Sequence, residues 1–216
     1  MPETTSQSTQ IRNKIVFINC PYDEEYKDIL HILIFLVATF GCTPTIASEN
    51  KESSDRMSKI MTLIHDSQIG IHDISRMEHT TEDPLARFNM PFELGIDYAH
   101  KYYCSEGNKK LLILQEKPFL SKRTLSDLSG LDIEAHDNKI GEVVKIVRSF
   151  FCSIFSLTNV ISPSRLETEY YTGYHAWLRE KLLSLGFNEK AYLEEMSISE
   201  YIRYALEYVS SVGTKY

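Results

Sequence analysis

The chain has 216 residues, 43% hydrophobic and 25% charged, which is the make-up of a globular chain with a real core and excludes a low-complexity or fibrous one. A formal charge of −7 excludes a general polyanion-binding surface, because phosphate backbones are held by clustered Lys and Arg; a small anionic metabolite stays admissible. Cys20, Cys42, Cys104 and Cys152 stand in unlike contexts without a CxxC pair, so neither a zinc site nor a disulfide framework is expected, and a reducing cytoplasm is.

Residues 1–13 are polar and lack the apolar core of a signal peptide; they read as a disordered leader. KIVFIN, Lys14 to Asn19, is apolar on both faces, as in a parallel strand covered on both sides. Cys20-Pro21 stops it. Asp23 is placed to cap a helix reaching about Phe40, with Gly41 at its end. The apolar run Ile29 to Phe40 is too short for a bilayer crossing of about 20 residues, so a buried helix is expected and no membrane. A short strand near Pro44 to Ala47 follows, then a helix opened by Ser53 or Ser54 and running through His65, then a buried strand over Ser67 to Ile74. Ser75 to Phe88 reads as a loop.

A third helix is predicted from about Met90 to Tyr103, and a strand over Lys110 to Gln115. Glu116 to His136 carries no clear signal, whereas Lys139 to Phe155 is amphipathic at helical spacing. Alternating strands and helices with short joins imply a doubly wound parallel sheet of about five strands, flavodoxin-like, over residues 14–157. Thr158 to Ser164 reads as a linker, and the Tyr-rich stretch over 165–216, which holds Trp177, as a helical extension packed on the main domain or on another subunit.

In an open parallel sheet, ligands bind beyond the carboxyl ends of the strands, where strand order reverses. That rule selects Asn19, Pro21, Tyr22 and Asp23 after the first strand, Asp73, Ser75 and Arg76 after the third, and the start of the third helix at Asn89. Asn89 reads as an N-cap, with Pro91 tolerated in the first turn. Glu93, one turn in, is a carboxylate among Met90, Phe92, Leu94 and Ile96. The helix dipole favours its charge and apolar neighbours oppose it. Asp97, four residues on, shares its face. Singly, each has a structural reading: Asp23 as a cap, Asp73 as a turn residue, Arg76 as a solvated charge, Glu93 as a dipole-stabilising acid. Their convergence on one cleft favours function.

KIVFINCPYDEEY, DISR and NMPFELGID together resemble the nucleoside 2-deoxyribosyltransferase family and the related Toll/interleukin-1 receptor (TIR)-like enzymes, over about Lys14 to Gln115. The resemblance implies that Glu93 is the catalytic carboxylate, that Asp73 helps to hold sugar or base, and that Asn19, Tyr22 and Asp23 line the ligand mouth. Asn89-Met90-Pro91 and Cys20 depart from that family's smaller residues and weigh against a deoxynucleoside. The activity implied is N-glycosidic cleavage of a nucleotide, NAD foremost, as substrate rather than cofactor, by hydrolysis or cyclisation, in a bacterial antiphage defence setting. Should a dinucleotide bind, Arg76 and the N-terminus of the third helix are the expected anionic contacts. Base exchange on deoxynucleosides and a silent nucleotide-binding or assembly module are the alternatives. Homo-oligomerisation or activation by a partner is expected, with Tyr170, Tyr171, Tyr174 and Trp177 as interface anchors or core. His65, His72, His79 and His100 lack metal-ligand spacing, so no metal is expected.

Overall fold

The structure, a computed structural model, describes residues 14–47, 55–77, 88–105, 107–128, 130–187 and 196–213. The leader over 1–13 and the helix starts Ser53 and Ser54 lie outside the described residues. β1 (Ile15–Asn19), β2 (Thr43–Ile46), β3 (Ile69–Asp73), β4 (Lys110–Gln115) and β5 (Ile133–Ala135) form one all-parallel sheet in the order β2-β1-β3-β4-β5. This is the flavodoxin-like order of a doubly wound fold. β5 falls inside the stretch without a clear signal: three residues at the sheet edge, placed by pairing with Ile113, Leu114 and Gln115.

α1 (Lys27–Thr39) is buried at every position from Ile29 to Thr39. A helix that is apolar all round must be covered on all sides, and two layers do this. The sheet and α5 (Ile140–Phe155) share its inner core; the C-terminal stretch covers its outer side. That stretch comprises α6 (Pro163–Thr168), a π-helical turn (Glu169–Tyr174), α7 (His175–Ser184) and α8 (Ile198–Val212). Phe35 meets the rings of Tyr170 and Tyr174 at 5.3 Å each and of Tyr208 at 6.4 Å, and His31 stacks on Tyr201 at 3.9 Å. Tyr170 and Tyr174 are therefore core, Tyr171 is exposed and Trp177 half-buried. The other face of the sheet carries α2 (Arg56–Asp66) and α3 (Asn89–Tyr103), with Phe17, Ile60 and Ile64 packed between.

Three helix starts differ from the sequence expectation. Asp23 Oδ1 accepts from the Tyr26 amide at 3.0 Å, closing the turn before α1 rather than capping the helix, which begins at Lys27. Asp55 caps α2, accepting from the amides of Met57 at 3.1 Å and Ser58 at 3.2 Å. Asn89 is the first residue of α3 and not its cap: Phe88 holds that position, and no side chain caps the helix. The first turn of α3 is fastened from β1, through the Met90 carbonyl. Among the described residues, no helix is long and apolar enough to cross a membrane.

Candidate functional site

β1 feeds α1 on one face of the sheet and β3 feeds α3 on the other, so the crevice between their carboxyl ends is the switch point of the fold. The β1–β3 register sets Asn19 beside His72. Asn19 Nδ2 donates to the Met90 carbonyl at 2.9 Å and to His72 Nδ1 at 3.1 Å. The Met90 carbonyl fixes the amide's orientation, so Nδ1 of His72 accepts and Nε2 donates, to Asp97 Oδ2 at 2.9 Å. Asp97 Oδ1 lies 2.7 Å from Lys109 Nζ, which also donates to the Ile64 carbonyl at 2.5 Å and to Ser67 Oγ at 2.8 Å. The whole chain of groups is buried. Burial pushes the Asp97 carboxyl up, but His72 and Lys109 together hold it below the ordinary carboxylate range. Gly70 is required beside this pair, because a Cβ there would stand 2.5 Å from Asp97 Oδ2 and 2.8 Å from His72 Nε2.

A second buried group surrounds Asp73, which accepts from the Tyr26 hydroxyl, from His136 Nε2 at 2.8 Å and from the Ser75 amide at 2.9 Å. Against burial, these donors hold its carboxyl below the ordinary range. Asp73, His136 and Ser75 are the residue types of a hydrolase triad, but their geometry is not that of one. Asp73 and Ser75 Oγ, the latter at 3.4 Å, meet the same ring nitrogen, while Nδ1 accepts from the Asn138 amide at 3.1 Å. Cys20, fully buried, has its thiol pushed well up by burial and by the nearby carboxylates of Asp73, Glu93 and Asp23.

At the mouth, Arg76 adopts a left-handed backbone (φ 74°) that costs about 1 kcal/mol in a residue with a side chain. This aims its guanidinium at three acids. Nε and Nη2 grip Asp23 at 3.1 and 3.2 Å, Nη2 also meets Glu25 at 3.2 Å, and Nη1 meets Glu116 at 3.2 Å. Pro21 is buried, whereas Tyr22 and Asn89 are exposed.

Glu93 is only 7% exposed, and among the described residues its carboxyl accepts no hydrogen bond. Burial pushes its pKa up to about 7 against the opposing charge of Arg56. Asn19, by holding the Met90 carbonyl, fixes the helical turn that carries it. Three open clefts, of about 420, 340 and 320 Å³, lie along β4 and β5, around His65 and His100 at the opposite end of the sheet, and beside Gly95; Glu93 lines none of the three. Among the described residues, no three His, Cys, Asp or Glu side chains are grouped to hold a metal. His79 lies outside them. Tyr26, Lys109, Glu116 and His136, all part of these networks, are not singled out by the sequence. For His72, the register opposite Asn19 is the signal that finds it.

Neither the sequence nor the fold of this chain matches a known family model, a curated protein or a solved structure. The fold and crevice define a flavodoxin-like α/β protein with a buried acid at the switch point.

Proposed function

We propose that the chain is an N-glycosidase that breaks the base–ribose bond of a nucleotide such as NAD, with Glu93 as the essential carboxylate. One observation carries this reading: of three buried acids, Asp73 beyond β3 and Asp97 and Glu93 on α3, Asp73 and Asp97 spend their oxygens on internal partners, while Glu93 is buried with no hydrogen bond among the described residues. A buried acid held only for structure is normally paired. In the reaction, the C1–N bond breaks with both electrons leaving on the base, and nicotinamide departs neutral. The carboxylate stabilises the ribosyl cation or bonds to it until water attacks C1. A cationic pyridinium substrate would itself favour the ionised form of Glu93.

A second reading, base exchange on a neutral nucleoside, is favoured by Arg76. Its donors are taken by Asp23, Glu25 and Glu116, so these four groups present three negative charges against one positive and offer a diphosphate little. Wild type and Glu93→Gln are to be incubated separately with NAD and with a deoxynucleoside plus free base. Nicotinamide release by wild type alone is expected, with turnover lost in the variant. An active Glu93→Gln overturns the mechanism, product only from the base-exchange mixture selects the second reading, and tight binding without turnover selects a silent binding module.

A further inference from the structure

The outer face of α3 is apolar and faces solvent. Phe88, just before the helix, and Phe92, Tyr102 and Tyr103 are between 54% and 88% exposed, and Gly95 and Ala99 between them are exposed too. At about 100° per residue these six positions fall within about 60° of one direction. Their spacing from Phe88 through Phe92, Gly95 and Ala99 to Tyr102 alternates four and three, the rhythm of a helix–helix seam. Gly95 is the telling residue. It sits mid-helix, where glycine costs about 1 kcal/mol relative to alanine. Among the described residues a Cβ there would meet nothing within 4 Å, and the cleft that Gly95 shares with Thr124–Leu128 stands open, so no direct packing among them accounts for the missing side chain.

We propose that this face is a two-fold interface at which α3 packs antiparallel against α3 of a second copy of the chain, crossing at the level of Asp97. The pattern is palindromic about that point: Gly95 meets Ala99 of the second copy, and Phe92 meets Tyr102, so small residues meet at the crossing and aromatics flank it. Glycine and alanine there let the helix axes approach to the short end of the usual 8–10 Å. The four exposed aromatics offer roughly 400–650 Å², at least about half of the approximately 800 Å² that each partner of a stable dimer contributes. Charge agrees with the same rotation. α2 and α3 run side by side in the same sense, since His65 Nδ1 meets His100 Nε2 at 3.3 Å near their ends and Arg56 acts on Glu93 near their starts. The two-fold therefore lays α2 head to tail along α2 of the second copy, turning its start, where Arg56 and Lys59 outnumber the capping Asp55, towards the end that carries Asp66. An isologous contact of this kind closes on itself. It stands whether or not Glu93 cleaves a glycosidic bond.

The test is sedimentation equilibrium of the full chain at micromolar concentration, with Ala99→Arg as the disrupting variant and circular dichroism as the check on its fold. Wild type is expected at twice the chain mass and the folded variant at the chain mass. A monomeric wild type, or an Ala99→Arg protein that stays dimeric, overturns the proposal. Register is read by mild oxidation in a Cys104→Ser background. Gly95→Cys with Ala99→Cys is expected to give a covalent dimer, because the two positions face each other across the crossing. Gly95→Cys alone is not, because its copies lie about 6 Å apart along the axes in addition to the helix separation. Efficient cross-linking of the single variant would show a parallel pair and overturn the antiparallel arrangement.

Discussion

Glu93 and Asp97 are one helical turn apart on α3, both buried, and their carboxyls are shifted in opposite directions. Asp97 is held ionised between His72 and Lys109, and its pKa lies below the ordinary range; Glu93 has no hydrogen bond among the described residues and its pKa is pushed up to about 7. The pair divides the work: one acid ties β3, α3 and the start of β4 together, the other is left available to a ligand. The tie depends on Gly70, whose missing side chain is the space that the Asp97 carboxylate and the His72 ring occupy. Gly70→Ala is expected to lower stability by about 1–3 kcal/mol through overpacking beside a buried ion pair, read as a lower urea midpoint with unchanged slope. An unchanged midpoint would mean that the network gives way at no cost.

At the scale of elements, the sequence showed most where one segment carries its own signal. β1, β3 and β4 are short apolar runs, α1 is apolar all round, and α5 has a clean amphipathic period; all appear where expected. What was not legible depends on distant partners. β5 exists through its pairing with β4, and although α3 lies where the sequence put it, Asn89 opens the helix instead of capping it, next to a Met90 carbonyl held by a side chain 71 residues away. The candidate site divides the same way: strand-end residues followed from topology, but that Arg76 would be shared by Asp23, Glu25 and Glu116 is a fact of the folded chain alone. The C-terminal aromatics make the point testable, because neighbouring tyrosines have opposite fates. Tyr174 is fully buried against Phe35, and Tyr174→Ala is expected to cost about 3–5 kcal/mol. Tyr171 is 47% exposed, and Tyr171→Ala is expected to change stability by no more than about 0.5 kcal/mol. Equal effects in chemical denaturation would show that the extension is not part of the core of α1.

For the whole molecule, two buried groups on opposite faces of the sheet act on stability with opposite sign. Glu93 rises from 4.5 to about 7 on folding, and His31, stacked on Tyr201, falls from 6.5 to about 4. For Glu93 the folded state holds the proton more tightly, so stability is present below 4.5 and lost as pH rises through 7. For His31 the unfolded state holds it more tightly, so stability is present above 6.5 and lost as pH falls through 4. Each shift corresponds to at most about 3 kcal/mol. Between about pH 4.5 and 6.5 the two slopes oppose each other, and the wild-type unfolding free energy is expected to be nearly flat there. Below that window it falls, as His31 gains its proton and as Asp73 and Asp97, held low in the folded state, lose their advantage. Single variants separate the two terms. Glu93→Gln removes the falling limb, so its stability should climb from pH 4.5 to 6.5 and exceed that of wild type most clearly at pH 8. His31→Phe keeps a ring on Tyr201 and removes the rising limb, so its stability should decline from pH 4.5 to 7. Urea titrations of the three proteins across this range decide the matter: parallel curves would mean that neither group changes its proton affinity on folding, whereas a Glu93→Gln protein both more stable at pH 8 and inactive would tie the cost of burying this acid to its use.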